Sequence, residues 1–130
     1  MEVGKPKVKT KINIEERRPI WIALSDLYID NELQDYDFKY ISQKIKASPY
    51  SLEQIKQIDK EEVFPVLHTN LLTVAGIWTG FQEEWLITEI MRKLEKRNFL
   101  SRLMNGIMYA FLKSMQKDNW RKIETMLKHD

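Results

Sequence analysis

Cysteine is absent from the 130 residues, and histidine occurs only twice, at His68 and His129. The first absence excludes a disulfide scaffold, thiol catalysis and every cysteine-based zinc or iron–sulfur site. The second leaves one imidazole before the C-terminal tip, too few for a histidine triad or a two-histidine metal site within the domain. No apolar run approaches the roughly 18 residues of a membrane span, and Met1-Glu2-Val3-Gly4-Lys5-Pro6-Lys7 lacks the apolar core of a secretory signal. A soluble, cytoplasmic protein with no metal and no cofactor is expected. Glycine and proline, four of each, are scarce, and neither an internal repeat nor a low-complexity segment is visible.

What is present fits one globular domain. Apolar residues make up 43% of the chain, and a domain of this length should bury about two thirds of its unfolded surface. The net charge of +2 hides a segregation. Residues 1–18 carry +3 (six Lys and Arg, three Glu), residues 19–91 carry −7 (five Lys, twelve Asp and Glu), and residues 92–130 carry +6 (ten Lys and Arg, four Asp and Glu). Two surfaces of opposite sign bear on partners and association rates rather than on fold.

The periodicity is helical almost throughout. Lys5, Lys7, Lys9 and Lys11 alternate with apolar residues but have no strand to pair with, so residues 1–14 read as a flexible lysine-rich arm and 15–130 as a single helical domain. Pro19 suits the first position of a helix carrying Ile20, Trp21, Leu24, Leu27 and Tyr28 on one face. A second helix is expected from Asp35, as its N-cap, to Ala47, stopped by Ser48-Pro49. Ser51 and Gln54 form a capping box for a third, which Pro65 should kink or end. His68-Thr69-Asn70 reads as a connection. Further helices are expected from about Gln82 to Arg97, from Phe99 onward with Asn98 as stop or cap, and after Asp118. The class is all-α, a bundle of five to seven helices.

Between Leu71 and Leu86 lie two of the four tryptophans and two of the four glycines. This stretch is expected to be the packing hub, with Trp21, Trp78, Phe81 and Trp85 at its centre and a cost of about 3 to 5 kcal/mol for Trp78→Ala or Trp85→Ala. Gly76 and Gly80 do not make a phosphate loop, because no lysine occurs between Lys60 and Lys93. Leu103, Met104, Ile107, Met108, Phe111 and Met115 form a broad stripe. Core is its default reading, and a partner-facing or dimer face is the sharper one.

Arg17-Arg18-Pro19-Ile20-Trp21-Ile22-Ala23-Leu24-Ser25-Asp26-Leu27, Ser48-Pro49-Tyr50-Ser51-Leu52-Glu53, Glu62-Val63-Phe64-Pro65-Val66-Leu67 and Ala75-Gly76-Ile77-Trp78-Thr79-Gly80-Phe81 with Glu84-Trp85-Leu86 occur in that order. Together they resemble a family of small uncharacterised bacterial helical proteins over roughly residues 15–97. The resemblance implies a bacterial, cytosolic, helical domain and brings no catalytic residues. The methionine-rich segment after Arg97 falls outside it.

With no nucleophile motif, a non-enzyme is expected. The leading reading is a protein-binding module, an immunity or antitoxin-type inhibitor of a bacterial toxin acting through Asp26, Asp30, Glu32, Asp35 and Asp37. The calcium alternative for these carboxylates lacks the glycine turn and closing glutamate of a calcium loop. The alternative function is nucleic-acid association through Lys5, Lys7, Lys9 and Lys11 and the basic face Arg92, Lys93, Lys96, Arg97 and Arg102, which the acidic middle segment opposes.

Overall fold

The protein, described by a computed structural model over residues 12–29, 32–71 and 80–128, is an all-α bundle with no strand among those residues. Seven α-helices appear there: α1 Ile14–Ser25, α2 Asp35–Ala47, α3 Leu52–Ile58, α4 Phe64–Leu71, α5 Glu83–Lys96, α6 Phe99–Leu112 and α7 Lys117–Lys128. Of the lysine arm, residues 1–11 lie outside the described residues. Ile12 and Ile14 pack against the core.

Local chemistry sets the helix starts. The Asn13 side chain accepts the Glu16 N–H at 3.2 Å, so α1 begins five residues before Pro19, which is inside the helix rather than at its first position. The carbonyl that Pro19 leaves without an N–H belongs to Glu15, and both residues are exposed, where water can serve it. The cap of α2 is Gln34 rather than Asp35, because Asp37 turns back to accept the Gln34 N–H at 2.8 Å. Ser51 and Gln54 form the expected reciprocal box. Asn98 and Ser101 form another at the start of α6. Asp118 lies in the first turn of α7 and not at its cap.

Pro65 neither ends the helical run nor breaks it. Between α3 and α4, residues Asp59–Val63 form a π-helical turn in which the Phe64 N–H reaches back five residues to the Asp59 carbonyl. That register hands the Lys60 carbonyl to Pro65, which has no N–H to give. The orphaned carbonyl accepts instead from Asn105 Nδ2 on α6, at 2.9 Å. With the extra residue absorbed, the helix continues, and His68-Thr69-Asn70 are its last turn rather than a connection.

The core is built from Ile20, Trp21, Leu24 and Tyr28 of the first helix and the short turn after it, Phe38, Ile41 and Ile45 of α2, Ile55, Val63, Phe64 and Leu67 of the third run, Leu86 and Ile90 of α5, and Trp120 and Ile123 of α7. α2 packs most extensively on α7. Gln116 Nε2 donates to the Leu27 carbonyl at 2.8 Å, tying the C-terminal segment to the first.

The tryptophan hub requires correction. Trp21 is fully buried, and its indole N–H donates to Glu62 Oε1 at 2.8 Å. Trp85 is 45% exposed and stacks on Phe81 at 6.2 Å between ring centroids, while Leu86, Ile87 and Ile90 carry the buried side of α5. Phe81 is half-buried, and Trp78 lies outside the described residues. The sequence spacing placed Trp85 one residue off the face that α5 turns inward.

Candidate functional site

α6 is mounted with its apolar stripe outward. None of its residues is buried. Phe99, Leu100, Leu103, Met104, Ile107 and Phe111 are exposed, Phe99 at 81% and Phe111 at 76%, and Met115 in the turn that follows is exposed with them. At helical spacing these side chains cover about half the circumference. The helix is held by its narrower side. Asn105 binds the orphaned Lys60 carbonyl, and Tyr109 sets its ring edge-on to Phe64, with centroids 5.1 Å apart. Core, the default reading of the methionine stripe, therefore fails for Met104 and Met115, while Met108 is partly covered. The body's core is already closed by other helices, and α6 is clamped to a backbone defect on its outside.

Beside α6 runs a cleft of about 420 Å³, bounded by the π turn and α4 on one side and by the end of α5 on another. Arg92, Lys93, Lys96, Arg97 and Arg102, candidates for nucleic-acid contact by sequence, all line it. Pro65, Leu94, Met104 and Met108 supply apolar wall. Among the described residues Glu61 is the sole acid in the lining. Its Oε1 stands 3.5 Å from Arg97 Nη1 and 3.4 Å from Arg102 Nη2, so one carboxylate is shared loosely between two guanidinium groups. Arg92 pairs with Glu89 at 2.7 Å. Lys93 and Lys96, in the last turn of α5, suit the negative end of the helix dipole. His68 also lines the cleft, with Nδ1 at 3.0 Å from the Phe64 carbonyl and its ring stacked on Phe64.

The acidic candidates are distributed differently. Asp37 is committed to the Gln34 N–H, and Asp35 lies 3.9 Å from Lys122 of α7. Asp26 is partly buried, and desolvation, with the charge of Asp37 nearby, pushes its carboxyl up to about 6. Glu32 is exposed, and Asp30 lies outside the described residues, as do Lys5, Lys7, Lys9 and Lys11.

Two buried polar groupings escaped the sequence reading. Glu62 receives Arg17 on both carboxylate oxygens and Trp21 on one. Asp59 accepts the Tyr28 hydroxyl at 2.7 Å, and burial pushes its carboxyl up to about 7 and that of the Tyr28 phenol well above its ordinary value. The available signal was three acids, Asp59, Glu61 and Glu62, inside the apolar run Ile55, Ile58, Val63, Phe64. Among the described residues no group of three His, Cys, Asp or Glu side chains is arranged to hold a metal ion, and no helix is long and apolar enough to cross a membrane.

Comparison with curated proteins and with solved structures returns no match. A family described as Domain of unknown function (DUF7079) matches residues 15–126. The match runs past Arg97 through α6 and most of α7, so the methionine-rich segment is part of the shared domain rather than an addition to it. The chain belongs to this uncharacterised DUF7079 family.

Proposed function

We propose that the protein is a non-catalytic protein-binding module that docks an amphipathic helical segment of a partner protein on the outward face of α6 and the cleft beside it. The observation that carries the reading is the mounting of α6. Phe99, Leu103, Ile107 and Phe111 all exposed along one side of a single helix make the kind of apolar face that marks an interaction site. Methionines at its edge give such a face the adaptability that helix-binding grooves use. A cleft lined by five cations and apolar wall offers charge-dependent specificity next to the apolar contact.

A toxin-inhibitor role through Asp26, Asp30, Glu32, Asp35 and Asp37 draws less support from the geometry. Asp37 serves a cap, Asp35 neighbours Lys122, and Asp26 is partly desolvated. An inhibitor of a cognate toxin acting through α6 would use the same docking chemistry.

A photoreactive residue at position 107 or 111, compared with one at exposed Glu53, tests the reading in the producing cell. Protein adducts at 107 and 111 that vanish in Leu103→Ser, and none at 53, are expected. Adducts equal at all three positions, or none at 107 and 111, would reject it.

A further inference from the structure

From Lys96 to Lys117 the chain carries five cations, Lys96, Arg97, Arg102, Lys113 and Lys117, and no Asp or Glu. The segment that carries the apolar stripe is thus charged with one sign, between the flanking acids Glu95 and Asp118. A second copy brought face to face would set cation against cation, which costs affinity instead of adding to it. A flat anionic surface would leave the cleft empty, whereas a helix laid along α6 can lower one row of side chains into it.

We propose that the segment this face accepts is an acidic amphipathic helix, and that Glu61 occupies the cleft as a resident stand-in for the partner's carboxylate. This rests on α6 being a docking face. Glu61 belongs to the π turn, which carries it to the cleft wall. Its contacts to Arg97 and Arg102, at 3.5 and 3.4 Å, are long for charge-assisted hydrogen bonds, which close to about 2.7 to 2.9 Å when well made. One loosely held carboxylate serves two guanidinium groups, each able to take a carboxylate in bidentate fashion. Among the described residues Lys93 and Lys96 make no salt bridge, so the cleft keeps cationic capacity beyond what Glu61 and Glu89 answer. An incoming acidic helix buries its apolar row on Leu103 and Ile107, sets a carboxylate against Arg97 and Arg102, and displaces Glu61 toward solvent.

The test uses the full chain and three labelled amphipathic peptides of about 18 residues, long enough to span α6 at ~1.5 Å per residue. They share one leucine row and carry Glu, Gln or Lys on its flanks. Fluorescence anisotropy should show the Glu peptide binding about tenfold or more tighter than the Gln peptide, with a preference that shrinks as salt rises, and no binding of the Lys peptide. Glu61→Gln removes the competitor and should tighten the Glu peptide by about three- to tenfold without tightening the Gln peptide, while Arg97→Gln with Arg102→Gln weakens it. Melting temperatures of these variants report whether the fold is kept.

Equal binding of all three peptides overturns the acidic assignment and leaves the docking face standing. Unchanged affinity in a folded Glu61→Gln variant overturns the stand-in. Failure of every peptide, together with an absence of adducts at positions 107 and 111, removes both readings. Tighter binding to anionic vesicles or duplex DNA than to the Glu peptide, or a dimer by ultracentrifugation that Leu103→Ser abolishes, also overturns the proposal.

Discussion

Asp59 is a carboxyl sealed in the core, with the Tyr28 hydroxyl donating to it, and its proton is held to about pH 7 against an ordinary value of 3.8. Between those values the folded state keeps a proton that the unfolded chain has released, so stability falls as pH rises through this window and levels off above it. Asp26, raised to about 6, acts in the same direction over a narrower range. Asp59→Asn keeps an oxygen for Tyr28 and has no proton to lose. Urea unfolding at about pH 5 and about pH 8 should show a smaller loss of stability in the variant than in the wild type. A wild-type protein equally stable at both would contradict the burial of that group. The tryptophans make a second contrast. Trp21→Ala empties the centre of the core and removes the indole donor from Glu62, which keeps Arg17, at a cost of about 3 to 5 kcal/mol, whereas half-exposed Trp85→Ala should cost about 1 kcal/mol or less. Chemical denaturation of the two variants measures the difference.

Among the elements, the π turn and α6 act as a pair. The turn and Pro65 together create one unpaired carbonyl, and Asn105 answers it. Asn105→Leu should therefore cost about 1 kcal/mol, the low end of the penalty for a polar group left without a partner because this carbonyl is only part-buried beside an open cleft, and should speed amide exchange in α6 more than in α7. Equal acceleration in both helices would show that the tether is not local. The outer stripe behaves oppositely. Leu103→Ser with Ile107→Ser should lower unfolding free energy by about 1 to 2 kcal/mol in all, because each side chain is already about half in water, whereas Ile123→Ser, fully buried in α7, should cost more than the two together. Most helix boundaries were legible because caps are local: Ser51 with Gln54 and Asn98 announced themselves in sequence. Pro19 and Pro65 misled because each sits where the surroundings absorb the missing N–H, at an exposed first-turn carbonyl in one case and in a π register in the other.

For the molecule as a whole, α7 closes the core over α2 through Trp120 and Ile123, and Gln116 fastens it to Leu27. A chain ending at Lys96 should lose cooperative thermal unfolding followed by circular dichroism, and retention of a sharp transition would show that residues 99–128 are accessory. The all-α class, the helix periods, the missing cysteine chemistry and the segregation of charge were determined by the sequence alone, since each depends on composition or on neighbours within a few residues. Which apolar stripe became core was decided by tertiary structure. The stripe of α6 is broader than that of α2, yet only a limited set of helices can enclose one core, and α6, tethered by Asn105 to an orphaned carbonyl, was left facing out. The meeting of Arg97 and Arg102 with Glu61 was equally invisible in sequence, because it joins residues up to 41 positions apart through that same tether.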